Sequence, residues 1–309
     1  MHAIILAAVL AGGVRAAEVP VERLSLEQQV GQLFVVVVDT ESAAADEDLI
    51  RGGLVSGGLL RWDKFTAPEL AEFTAWLRAR APEGMPFLVF ADHEGGPMFT
   101  QHSFGATVFP GNMALGAAGS PQLAEVAARA SGRELAALGV DCDFAPSVDV
   151  NSNPANPIIG VRSYGSDPER VAALGAAQVR GYLAGGVLPV AKHFPGHGDT
   201  AVDSHVGLPR VDRPRSEFDK VELPPFRAAI EAGAPMVMPA HIVAPALGAG
   251  DGPVTFSTAA LDGVLRGELG FPGVIVSDSL DMGAVAHSTD VAEASVLAFL
   301  GGCDLLLTG

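Results

Sequence analysis

Eight short apolar runs rich in β-branched residues recur along the chain, each separated from the next by a stretch long enough for a crossover. They fall at residues 32–38, 58–62, 87–91, 141–148, 187–192, 236–240, 274–277 and 304–308. Such alternation marks βαβ units around a parallel sheet. Between the runs, residues 123–138 and 170–183 carry apolar side chains at helical spacing with Arg and Glu opposite. Ser120-Pro121 and Asp167-Pro168 each place a capping side chain before a proline at the first helical position. Eight strands joined by seven crossovers predict an α/β fold, a single-domain (β/α)8 TIM barrel over residues 21–309, rather than an open doubly wound sheet. The sequence stops at Gly309, directly after the eighth run, so the helix that would cover that strand is missing. An uncovered strand predicts exposed apolar surface.

Composition fits an aliphatic barrel with many turns: 49% of residues are hydrophobic, only 6% aromatic, and there are 37 Gly and 22 Pro. The 36 acidic residues outnumber the 19 basic ones, and a net charge of −17 disfavours phosphate backbones and anionic membranes. Nucleic acid is therefore not an expected partner. Cys142 and Cys303 lie far apart in apolar segments and read as two small buried residues, leaving the redox compartment open. Residues 1–20 read either as a signal peptide or as an N-terminal helix: a short apolar run precedes Val14-Arg15-Ala16, but the basic start of an export signal is missing. Exported and cytoplasmic locations both stand. No other stretch is long and uninterrupted enough for a membrane span, and a monomer is expected.

Chemically capable side chains collect directly after the strands: Asp92 and Glu94, Asp149 and Arg162, the stretch from Lys192 to His205, His241, and Asp278 with Asp281. In a (β/α)8 barrel the βα loops at the C-terminal ends of the strands build the active site, so these residues should converge. The densest stretch is Lys192-His193-Phe194-Pro195-Gly196-His197-Gly198-Asp199-Thr200, followed by Asp203-Ser204-His205. Its histidines could simply bond into a rigid rim. A metal site is disfavoured, because neither an HxH pair nor a helical His-Glu-x-x-His is present. Acid/base chemistry fits better, since a carboxylate beside an imidazole fixes its tautomer. One residue between Asp203 and His205 lets both side chains face one way in an extended loop. Asp278 ends a buried strand and suits nucleophilic attack, the plainer alternative for it and for Asp281 being a helix cap.

The loop from Lys192 to Thr200, with Asp203-Ser204-His205, resembles the defining loop of glycoside hydrolase family 3 β-N-acetylglucosaminidases. The resemblance extends to Phe144-Ala145-Pro146 with Asp149, to Gly160-Val161-Arg162-Ser163-Tyr164-Gly165, and to Leu265-Arg266-Gly267-Glu268-Leu269-Gly270-Phe271 leading into Ser277-Asp278. Weaker likeness covers Asp92-His93-Glu94-Gly95-Gly96 and Phe109-Pro110-Gly111-Asn112-Met113-Ala114. It implies that Asp278 is the nucleophile and that His205, assisted by Asp203, is the acid/base. Sugar hydroxyls would be held by Asp92, Arg162, Lys192 and His193, with no metal or organic cofactor. Larger family members carry a second domain that supplies a glutamate acid/base, for which this chain has no room. One departure stands out: Pro97-Met98 replaces the usual Arg-Val after Glu-Gly-Gly.

The resemblance thus implies a retaining exo-β-N-acetylglucosaminidase acting on terminal sugars of cell-wall muropeptides or chitin-like oligomers. Two alternatives remain. A histidine repels incoming phosphate less than a carboxylate does, which suits a phosphorylase. A catalytically silent sugar-binding barrel is the other, because fold does not fix function.

Overall fold

Every apolar run forms a strand, and all eight strands are parallel. The structure, a computed structural model, describes residues 21–61, 65–97 and 107–309. The strands are β1 (Phe34–Val38), β2 (Gly57–Leu60), β3 (Leu88–Ala91), β4 (Cys142–Asp143), β5 (Leu188–Phe194), β6 (Met236–Pro239), β7 (Val274–Ile275) and β8 (Leu306–Thr308). The reading of residues 1–20, and positions 62 and 98, lie outside the described residues.

Strand order is β7-β6-β5-β4-β3-β2-β1-β8. Registers such as Val35 opposite Gly57 and Val190 opposite Met236 align the strands side by side. A parallel bridge between Val276 and Leu305 joins the two ends of the sheet, with Ser277 N–H donating to the Leu305 carbonyl at 2.9 Å. The sheet thereby closes into a barrel.

Side-chain parity explains why the strands read as continuous apolar runs. Alternate residues Leu88 and Phe90, Cys142 and Phe144, Met236 and Met238, and Leu305 and Leu307 meet in one cluster inside the barrel. The opposite parity, Val89 and Ala91, packs with Leu70, Leu77 and Leu135 from the surrounding helices. A strand covered on both faces has no polar position to spare.

The two best-marked helices form as their caps predict. Pro121–Ala137 starts where the Ser120 hydroxyl accepts the Leu123 N–H, and Pro168–Gly185 starts where the Asp167 carboxylate accepts the Glu169 N–H. Both cysteines are buried and free. Among the described residues no helix is long and apolar enough to cross a membrane.

Two expectations need correction. The fourth strand was expected over 141–148 but is regular only at Cys142–Asp143. Pro146 has no N–H to give to a ladder, so the chain follows β5 irregularly, through Val190 N–H to Ala145 O and Val148 N–H to Lys192 O. The eighth strand is not bare either: Leu306 and Leu307 are buried. Exposed apolar surface lies instead on the helix Val291–Gly301, at Val296 (57% exposed), Phe299 (49%) and Leu300 (66%).

Candidate active site

The residues after β3, β4, β5 and β7 converge on one pocket of about 340 Å³, lined by Asp92, Arg162, Lys192, His193, His205, Asp278 and Asp281 over an apolar floor that includes Leu59, Phe144, Met238 and Leu307. Residues up to 248 positions apart in sequence, Leu59 and Leu307, meet there because the C-terminal strand ends share one rim.

One wall is a buried charge network. Arg162, in a short 3₁₀ turn, clamps Glu94 with Nε at 2.9 Å and Nη2 at 2.7 Å. Lys192 Nζ lies 2.8 Å from Asp92 and 2.7 Å from Glu94. Burial alone would drive the Glu94 carboxyl upward, but the charges of Arg162 and Lys192 override it and hold the group at about 2. Burial raises Asp92, aided by the negative charge of Glu94 and opposed by Lys192. The ammonium of Lys192 stays charged because Asp92 and Glu94 outweigh its desolvation.

Asp149, fully buried, organises the next side. Its carboxylate accepts from His193 Nδ1 at 2.7 Å, from the His193 and His197 backbone N–H groups at 3.3 and 2.7 Å, and from the Ser147 hydroxyl at 2.9 Å. Against the cost of burial, the His193 ring and the His197 N–H keep its pKa far below the carboxylate range. Because His193 donates from Nδ1, its Nε2 lone pair can accept from Arg162 Nη2 at 3.2 Å. His193 and Arg162 are thus positioned together.

His197 is a brace for the loop and does not line the pocket. Its Nδ1–H donates to Thr200, whose hydroxyl donates back to the His197 carbonyl, and Ser204 donates to its Nε2. Burial pushes this imidazole down to about 4. The loop is seated tightly: a Cβ on Gly198 would lie 1.8 Å from the Val150 carbonyl oxygen, so only glycine fits.

Asp203 and His205 do pair, but in a turn and not in an extended loop. One Asp203 oxygen accepts both the His205 backbone N–H at 2.9 Å and Nδ1–H at 2.8 Å, while the Asp203 carbonyl accepts from Val206 and Gly207. Short Asp side chains favour this local bonding over extension. Although partial burial opposes it, bonding to His205 holds the Asp203 carboxyl below its ordinary value. The His205 ring is about half exposed (48%) at the pocket mouth. Its loop rests on the helix Gly283–Ala286, where the His205 and Ser204 carbonyls accept from Gly283 and Ala284.

Asp278 follows β7 and accepts the Ser279 N–H at 2.8 Å. Desolvation acts to raise its pKa, but the His241 and His193 imidazoles and the Ser279 N–H outweigh it, so the carboxyl lies below its ordinary value. Neither Asp278 nor Asp281 caps the following helix, whose N-cap is Met282. Asp281 binds the Gly309 N–H at 2.5 Å.

Residues 25–309 match the model of the glycosyl hydrolase family 3 N-terminal domain. The chain belongs to glycoside hydrolase family 3. Among the proteins it resembles, beta-hexosaminidase A of Pseudoalteromonas piscicida is 44% identical over 237 residues, covering 72% of this chain and 40% of that protein. A beta-hexosaminidase of Stenotrophomonas maltophilia (strain R551-3) is 38% identical over 283 residues, covering 89% and 82%. The solved β-N-acetylglucosaminidase of Paenibacillus sp. str. FPU-7 superposes with a TM-score of 0.89 at 45% identity, covering 92% of this chain and 55% of that one. The chain therefore spans about half the length, or less, of two of these relatives and most of the third.

Within the family 3 barrel, the seven side chains expected from the sequence lie together: six line the pocket, and Asp203 reaches it through His205. Glu94, Asp149 and His241 had no expected role, yet they hold Arg162, His193 and the Asp278 turn respectively. For Glu94 the i, i+2 relation to Asp92 after a strand is a usable signal, since both then face one way. Among the described residues, no group of three or more His, Cys, Asp or Glu is arranged to hold a metal ion.

Proposed function

We propose that this family 3 chain is a retaining exo-β-N-acetylglucosaminidase that removes terminal β-linked N-acetylglucosamine, from cell-wall muropeptides or chitin-like oligomers, by double displacement. The observation that carries this is the placement of a carboxylate, Asp278, and a carboxylate-backed imidazole, His205, on one pocket whose wall is the Asp92, Arg162, Lys192 and His193 network. The β-N-acetylglucosaminidase of Paenibacillus sp. str. FPU-7 supports this sugar, and the relatives named beta-hexosaminidase support the wider hexosamine class.

A cavity of about 340 Å³ is small for a ligand site and suits one terminal sugar unit, hence exo action. The wall supplies donors and acceptors for sugar hydroxyls, and the fork of Arg162 is held rigid by Glu94. The Asp278 carboxylate attacks the anomeric carbon as the bond to the leaving oxygen breaks, and His205 gives that oxygen its proton. Asp203 occupies Nδ1, so the proton moves through Nε2. His205, now a base, takes a proton from water, which attacks the anomeric carbon and releases Asp278.

Turnover of a chromogenic β-N-acetylglucosaminide, compared with the β-glucoside, tests the proposal. Preferred cleavage of the acetamido sugar to free sugar supports it. Sugar 1-phosphate formed in phosphate buffer makes the chain a phosphorylase, and binding without turnover makes it a silent barrel.

A further inference from the structure

The nucleophile turn is held from a direction the mechanism does not use. His241 follows β6 and is fully buried behind the pocket floor, with Nε2 at 2.9 Å from the Ser279 carbonyl and Nδ1 at 2.8 Å from the Thr255 hydroxyl. A carbonyl oxygen only accepts, so Nε2 carries a proton. Burial disfavours a charged ring, which leaves Nδ1 as an acceptor and the Thr255 hydroxyl as its donor. The hydroxyl can instead reach the Ala240 carbonyl at 3.1 Å, a rotamer that would leave Nδ1 of this Nε2–H ring without its donor.

The bonded peptide is the one joining Ser279 to Leu280. Its carbonyl accepts from His241, and its N–H donates to the Leu307 carbonyl at 3.0 Å. On the other side of Asp278, the Ser277 N–H donates to Leu305 O and the Ser277 hydroxyl accepts the Leu307 N–H at 3.0 Å. Residues 277–280 are thus sewn to β8 along one edge, while on the other the Ser279 carbonyl accepts both the His241 ring at 2.9 Å and the Met282 backbone N–H at 3.2 Å, so His241 ties the turn to the strand behind it.

We propose that His241 and Thr255 are positioning residues for the nucleophile: the chain of donors from Thr255 through His241 to the Ser279 carbonyl fixes the turn that aims Asp278 at the anomeric carbon. This rests on the reading of Asp278 as nucleophile. A bond to the neighbouring peptide moves the carboxylate without touching the sugar wall, so its loss should lower kcat and spare binding. Misaiming an attacking atom by about 1 Å costs on the order of a hundredfold.

The test compares Thr255→Val with Thr255→Ser, and His241→Leu with His241→Gln, whose amide can still donate to the Ser279 carbonyl. Measured for each are kcat and KM on a nitrophenyl β-N-acetylglucosaminide, the Kd of free N-acetylglucosamine by calorimetry, and the rate and site of labelling by a 5-fluoro glycoside. Thr255→Val and His241→Leu should lower kcat and the labelling rate by about ten- to a hundredfold with KM and Kd within about twofold. Thr255→Ser and His241→Gln should recover most of the loss. If His241→Leu does not fold, the Thr255 pair alone decides. Unchanged labelling of Asp278 in Thr255→Val overturns the proposal, as does a parallel loss of kcat and sugar affinity, which marks a merely structural bond. A label on a different carboxylate in the unmodified protein overturns the parent reading instead.

Discussion

Replacing Glu222 by Gln should change the pH dependence of stability in one direction only. Glu222 is buried just before the helix Leu223–Glu231, with Oε1 3.0 Å from Arg213 Nη1 and, among the described residues, no partner for Oε2. Arg213 also grips Asp199 at 2.6 Å, so this carboxyl sits under the loop that carries His197 and His205. Burial pushes it from 4.5 to about 7. A folded pKa above the unfolded one means that the folded state holds the extra proton between these values, so stability is fully present below pH 4.5 and falls as pH rises to about 7. The size is roughly 3 kcal/mol. His197 acts oppositely: lowered from 6.5 to about 4 by burial, it favours the folded state above pH 6.5 and withdraws that contribution as pH falls to about 4, again by roughly 3 kcal/mol. The two slopes oppose each other, so the unmodified protein should be nearly flat over pH 4.5–6.5 as far as these groups are concerned. Urea unfolding of Glu222→Gln and the unmodified protein in parallel isolates the first group, because all other titrations cancel in the difference. The variant should gain about 3 kcal/mol relative to the parent between pH 4.5 and 7. A difference independent of pH would show that Glu222 is an ordinary ionised partner of Arg213 and refute the reasoning.

Arg162→Lys keeps the charge but cannot reproduce the two-point grip on Glu94, so kcat/KM should fall more than about tenfold with the circular dichroism spectrum unchanged; unchanged kinetics would leave Arg162 a structural ion pair. His205→Ala should lose far more activity on an unactivated disaccharide than on a nitrophenyl glycoside, whose leaving group needs no proton. Asp203→Asn should show the same trend more mildly, because one Asp203 oxygen holds both the ring and the backbone of His205. Equal losses on good and poor leaving groups would remove this pair from the acid/base role.

The strands were legible because barrel strands are apolar on both faces: residues 87–91 read as one continuous run and are buried throughout. Helix starts were legible at Ser120 and Asp167, where side chain and proline act within three residues of each other. Beyond such short range the pattern thins. Pro146 broke a strand whose hydrophobicity alone read as unbroken. The Asp203–His205 pair was visible as a spacing, but its turn geometry depends on backbone bonds that spacing does not encode. Glu94, Asp149 and His241 stayed without roles because their partners lie 68, 44 and 38 residues away and meet them only when the barrel closes.

That Asp278 forms a bond to the sugar is tested most directly by trapping the protein with a 5-fluoro or 2-deoxy-2-fluoro glycoside, digesting it, and locating the label by mass spectrometry. The proposed mechanism predicts one added sugar on the peptide containing Asp278, with none formed in Asp278→Asn and turnover there reduced by about 10⁴-fold or more. A label on Asp281 or on any other carboxylate, or substantial turnover by Asp278→Asn, would contradict it.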